Sequence, residues 1–128
     1  RLVAELALTD RIEFRSYVSY QALPELYRGA VAFLYPSLWE GFGLPILEAM
    51  ASGTPVITSF GSGMQEVSGD AALLVDPLDV GMLAQAMHHV LHSAAERVRL
   101  RERGLQRAEM FRWETTALQT ASILRRFC

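Results

Sequence analysis

The chain has 128 residues, 51% of them apolar, and a formal net charge of −2; it forms at most one packed domain and is not disordered. That near-neutral balance gives no electrostatic basis for binding nucleic acid or an anionic membrane surface. The single cysteine, Cys128, excludes a disulfide or a cysteine-based metal site within the chain and suits a reducing cytosol.

Residues 1–8 carry no initiating Met and read as the last turns of a helix already under way, so the chain is expected to start inside a larger protein. Residues 12–18 alternate like a short strand, and after a loop at 19–22 a short helix is expected over 23–30. Residues 31–36 form a continuous apolar run ended by Pro36, the pattern of a buried parallel strand. The next helix has Pro45 near its first turn and Gly53 just past its end. A strand at 55–59, a loop at 61–63, a short helix around 65–67 and a strand at 72–75 follow. Asp79 is placed to cap a helix running to about Ser93. A further helix is expected over 95–110 with a break at Gly104, and a last helix from Trp113. This strand–helix rhythm predicts an α/β domain whose parallel sheet has helices on both faces. No apolar run is long enough to span a bilayer, and no signal-peptide pattern opens the chain.

Between the strand at 31–36 and its helix runs Glu40-Gly41-Phe42-Gly43-Leu44-Pro45-Ile46-Leu47-Glu48, two carboxylates with seven residues between them around a Gly-x-Gly turn. Carboxylates accept hydrogen bonds from sugar hydroxyls. The N–H groups of Phe42, Gly43 and Leu44, at a helix start whose dipole is worth about half a unit charge, suit phosphate. The glycines let the backbone approach a ligand closely. Taken singly, Glu40 is an ordinary loop acid and Glu48 a helix-start carboxylate. The joint pattern is what points to a hydroxyl-rich, diphosphate-bearing ligand. Elsewhere the signals are weaker. His88 and His92, four apart beside His89, lack a third ligand pattern and read as a solvated helix face. The Arg-rich stretch 97–103 interleaves acidic and apolar residues and reads the same way. Tyr35 and Trp39 are expected to pack, and Glu66 is equally a site acid or a surface residue.

Residues 34–57, with this E-x7-E pattern, resemble the signature of the retaining GT-B glycosyltransferases, and of glycosyltransferase family 4 in particular. The likeness continues through Tyr17-Val18-Ser19, Leu23, Leu26-Tyr27 and Ala30 before the motif. After it come Glu66-Val67, Gly69-Asp70-Ala71-Ala72, Asp76-Pro77 and Trp113-Glu114. Ser16, Gln65 and Arg112 depart from it, where the family commonly has Gly, Pro and Ser.

The resemblance implies a Rossmann-like parallel sheet over residues 1–128, part of the C-terminal nucleotide-sugar-binding domain of a GT-B fold. The N-terminal acceptor domain and this domain's first strands would lie outside the chain. It implies a transferase that moves a sugar from a nucleotide-diphosphate donor to a hydroxyl acceptor, a sugar or lipid-linked sugar, in polysaccharide, lipopolysaccharide or glycolipid synthesis. Its place would be the cytoplasm, at the inner membrane face where the acceptor is lipid-linked. By the same resemblance Glu40, assigned the catalytic position, and the turn Gly41-Phe42-Gly43 hold the transferred sugar, and the Leu44 N–H meets the distal phosphate. Glu48 would accept both ribose hydroxyls, Tyr17 and Val18 meet the base, and Leu23 packs on base or ribose. No metal and no cofactor are implied. The basic residues of the phosphate clamp would lie upstream, leaving this chain alone inactive. The alternative is a non-catalytic nucleotide- or sugar-binding module.

In a doubly wound sheet ordered 3-2-1-4-5-6, the strand at 12–18 would be third and that at 31–36 fourth. An open edge then follows, with re-pairing of those two strands or self-association through the edge as the expected outcome. The apolar stripe Trp113, Ala117, Leu118, Ala121 and Leu124 on the last helix is expected to lie exposed.

Overall fold

A computed structural model describes residues 1–127; Cys128 lies outside the described residues. A short helix α1 (Leu2–Glu5) and a 3₁₀ turn (Thr9–Arg11) lead through an extended segment into α2 (Leu23–Gly29). The chain then alternates: β1 (Phe33–Tyr35), α3 (Leu44–Ala51), β2 (Val56–Ser59), α4 (Ser62–Ser68) and β3 (Ala72–Val75). Three helices close it, α5 (Val80–His92), α6 (Ala94–Glu109) and α7 (Trp113–Leu124).

The three strands form one parallel sheet in the order β1-β2-β3, with Phe33 opposite Val56 and Val56 opposite Ala72. Side chains alternate across a strand, so neighbouring residues enter different layers. Phe33, Tyr35, Val56 and Ala72 pack with Ile46, Leu47 and Met50 of α3 and with Met64 and Val67 of α4. Leu34, Ile57, Leu73 and Val75 pack instead with Val90 of α5 and Leu100 of α6. Ile46, Met50, Ile57, Val90 and Leu100 are at most 1% exposed, each burial contributing about 1.5–3 kcal/mol. The sheet covered by helices on both faces is the architecture expected from the sequence pattern.

Three local expectations are corrected. Residues 12–18 are not a strand: they run without pairing, and the outer edge of β1 has no partner among the described residues. The physical reason is the lack of a layer to bury their alternating side chains, Phe14 being 81% and Tyr17 82% exposed. An unpaired alternating segment gains nothing from extended pairing by itself. Second, α6 runs unbroken through Gly104, which is buried where α6 crosses α3. A Cβ there would lie 3.3 Å from Met50 Cγ, so the glycine allows close helix packing and does not end the helix. Third, residues 62 and 63, expected in a loop, form the first turn of α4.

Asp79 does cap α5, its Oδ1 accepting from the Met82 N–H at 2.9 Å. Asp79→Ala should cost about 1 kcal/mol, a fall in Tm of roughly 3–5 °C by calorimetry. An unchanged Tm would show that α5 is held by packing alone. Arg112 at the start of α7 provides no side-chain cap. No residue of α7 is buried, and Trp113, Leu118 and Leu124 are exposed, as its stripe led us to expect.

Candidate functional site

Because the strands are parallel, the turns leaving β1 and β2 emerge at the same end of the sheet. That end, the carboxyl end of the strands, is where α/β sheets hold ligands. The turn after β1 carries Glu40 and leads to α3. Gly43, with φ +93° and ψ +49°, stands immediately before the helix in the left-handed region, which costs most side chains free energy and glycine little. Pro45 follows within the first turn, where its missing N–H is no loss. The result is a sharp entry that leaves the Leu44 N–H at a helix start, with the positive end of the helix dipole behind it.

The same turn is clamped from the side. The Gly63 N–H donates to the Glu40 carbonyl at 3.2 Å. A Cβ on Gly63 would lie only 2.4 Å from the Gly41 carbonyl oxygen and 2.9 Å from the Phe42 nitrogen. The loop 40–43 and the first turn of α4 therefore touch backbone to backbone.

Both motif carboxylates are half-buried and accept from tyrosines. Tyr35 Oη donates to Glu40 Oε1 at 2.6 Å, and Tyr27 Oη donates to Glu48 Oε2 at 3.2 Å. Tyr35's pKa is raised, chiefly by its hydrogen bond to Glu40 and then by burial. Burial pushes that of Tyr27 up to about 12, with the negative charge of Glu48 adding to it. Both hydroxyls stay protonated, hence donors, through the physiological range.

A cleft of about 620 Å³ opens beside the α3 N-terminus, lined by Phe42, Leu44, Leu47, Glu48, Phe111 and Trp113 among others. Phe42 and Phe111 close one wall edge to face, 5.8 Å between centroids. A second hollow of about 300 Å³, lined by Leu23, Tyr27, Arg28, Glu48 and Ser52, shares Glu48 with the first. Among the described residues no basic side chain lines the larger cleft; the α3 N-terminus beside it carries the positive end of the helix dipole.

Thus Phe42, Leu44 and Glu48 meet on one cleft, Leu23 joins Glu48 on the neighbouring hollow, and Glu40, Gly41 and Gly43 form the turn that precedes them. Tyr17 and Val18 line neither cavity. Trp39, expected to pack, is 77% exposed. Tyr27, Phe111, Trp113 and Gly63 are site features that the motif did not single out. The period-two pattern of β1 put Tyr35 on the α3 face; nothing local announced Tyr27, 21 residues from its partner. Glu66 is exposed, and its carbonyl accepts from Arg107. The rings of His88 and His92 stack 4.0 Å apart. No group of three or more His, Cys, Asp or Glu is arranged to hold a metal ion among the described residues. No helix among them is long and apolar enough to cross a membrane.

Comparison with known proteins adds independent findings. Residues 1–107 match the family described as glycosyl transferases group 1. The chain is 44% identical over 109 residues to O-antigen chain mannosyltransferase B of Escherichia coli, covering 85% of this chain and 29% of that protein. It is 40% identical over 127 residues to an MMP alpha-(1->4)-mannosyltransferase of Mycolicibacterium hassiacum, covering 96% and 31%. Among solved structures, sucrose-phosphate synthase of Thermosynechococcus elongatus superposes with a TM-score of 0.90 at 37% identity, over 98% of this chain and 32% of that one. The chain therefore spans about a third of the length of these relatives.

Proposed function

This chain belongs to the family of glycosyl transferases group 1, and on that premise we propose that it forms part of the donor site of a retaining sugar transferase. The reaction in this reading moves a sugar from a nucleotide diphosphate to a hydroxyl acceptor. The observation that carries it is the pair Glu40 and Glu48, each tied by a tyrosine, on either side of the α3 N-terminal turn at the carboxyl ends of the strands.

The chemistry follows from those groups. A departing diphosphate gathers negative charge, and a fixed helix N-terminus stabilises charge where it develops without reorganising. In this reading the Leu44 N–H faces the distal phosphate and Glu48 accepts from the ribose. Glu40, with the turn Gly41-Phe42-Gly43, holds the transferred sugar. Tyr17, Val18 and Leu23 belong to the base side, and no divalent metal is required. Transfer itself is a property proposed for the whole protein, with the acceptor held by residues outside this chain. Two of the relatives above are named mannosyltransferases, so mannose is the first donor sugar to test.

The test is a ligand-detected NMR titration of the chain with UDP, GDP and ADP. Binding of one of them is expected, and Glu48→Ala should weaken it by at least about tenfold, the effect of losing a charge-assisted hydrogen-bond acceptor. A folded Glu48→Ala chain that binds as tightly as the parent rules the donor-site reading out.

A further inference from the structure

Each motif acid ends a short relay that begins in the core. Thr58, fully buried on β2, donates its hydroxyl to the Tyr35 carbonyl at 2.9 Å, and Tyr35 Oη reaches Glu40. Thr54, 1% exposed, donates to the Tyr27 carbonyl at 2.7 Å, and Tyr27 Oη reaches Glu48. Phe33 joins the two relays: its ring meets Tyr27 edge to face at 5.1 Å and stacks on Tyr35 at 5.8 Å. We infer that Tyr35 and Tyr27 are positioning residues of the proposed donor site, each holding one carboxylate oxygen so that the other is free and aimed for a ligand hydroxyl.

The argument is geometric. A glutamate has three rotatable side-chain bonds, and ordering them on ligand binding opposes affinity. A hydroxyl that is itself fixed removes that cost beforehand. An ionised carboxylate can accept about four hydrogen bonds, so one donor from within leaves capacity for the ligand. Burial of Tyr27, and the hydrogen bond of Tyr35 to Glu40, keep both tyrosines in the donating form.

The two relays should act differently. Glu40 sits on a loop with no regular structure of its own, and its bond to Tyr35 is the shorter. Glu48 sits within α3, whose backbone already restricts it, and its bond to Tyr27 is longer. Tyr35 should therefore matter more, and only for ligands that reach Glu40. This inference rests on the donor-site reading for the identity of the ligands.

Phenylalanine keeps both rings and removes only the hydroxyls. The experiment titrates the parent chain, Tyr35→Phe and Tyr27→Phe with GDP, GDP-mannose, UDP and UDP-glucose, following binding by NMR. Tyr35→Phe should weaken the nucleotide sugar about five- to tenfold while the free diphosphate stays within about twofold. Tyr27→Phe should weaken both forms alike, by about two- to fivefold. A general structural loss would not separate the two ligands, so identical behaviour of the variants, or no change in either, overturns the inference. If Glu48→Ala abolishes binding in the same assay, that failure leaves the donor-site reading standing.

A second readout needs no ligand. In a tyrosine-labelled chain followed by NMR over pH, Glu40→Gln should bring the Tyr35 titration midpoint down toward that of an ordinary tyrosine. An unchanged midpoint in a folded variant shows that the pair does not form, and overturns the Tyr35 half of the inference.

Discussion

Replacing Gly63 by alanine should distort the turn that carries the site and abolish measurable nucleotide binding. The new methyl group would lie 2.4 Å from the Gly41 carbonyl oxygen, 2.7 Å from its carbon and 2.9 Å from the Phe42 nitrogen. All three are backbone atoms and cannot swing aside as a side-chain tip can. Either the loop 40–43 moves away or α4 does, and α4 is held by Met64 and Val67, each 1% exposed. The loop is the softer partner, so the strain falls on the Glu40 carbonyl bond and on the entry to α3. Overpacking of this kind costs about 1–3 kcal/mol of stability, and a displacement of about 1 Å in a positioned group can cost roughly a hundredfold in function. Gly29→Ala is the control, since nothing lies within 4 Å of a Cβ there. Chemical denaturation together with the nucleotide titration checks this. Gly63→Ala with parent-like stability and affinity would mean that the backbone contact does not shape the site.

Met50→Ala should produce the largest loss of stability that leaves the site residues themselves untouched. Met50 is completely buried, inside the cluster that joins α3 to β2 and α4, and it packs against Gly104 of α6. Its truncation removes the buried thioether chain and leaves a cavity at the crossing of two helices. Such changes cost about 2–5 kcal/mol, against a total of about 5–15 kcal/mol for a domain. Met50→Leu conserves volume and should cost less than about 1.5 kcal/mol. Denaturation midpoints of the three proteins decide it; a loss under about 1 kcal/mol for Met50→Ala would show that α3 and α6 close over the gap. Nucleotide affinity per folded molecule should change little, because Met50 lines neither of the two cavities that Glu48 borders.

Local chemistry made much of this molecule legible in its sequence. Pro36 ending an apolar run, Pro45 and Gly53 bracketing α3, and Asp79 before α5 act within a few residues of themselves, and the elements they mark are present. The E-x7-E spacing is equally local: it sets one acid before a helix start and the other one turn inside it. The residues that act across longer separations were not legible. Tyr27 meets Glu48 over 21 residues, and Gly104 reads as a helix breaker until Met50 is seen against it.

The opposite failure occurred at residues 12–18, where the alternation of a strand is present and the strand is not. A period of two records only which side chains would share a face; a strand also needs a hydrogen-bonded neighbour and a layer to cover it. The sequence by itself therefore determined the α/β class, the strand and helix order from β1 onward, and the carboxylate-flanked helix start, because capping, turn chemistry and periodicity are short-range. Only the tertiary structure decided which tyrosine holds which acid, why Gly63 must be small, and which alternating segment stays unpaired, because each of these depends on two distant stretches of chain meeting in space.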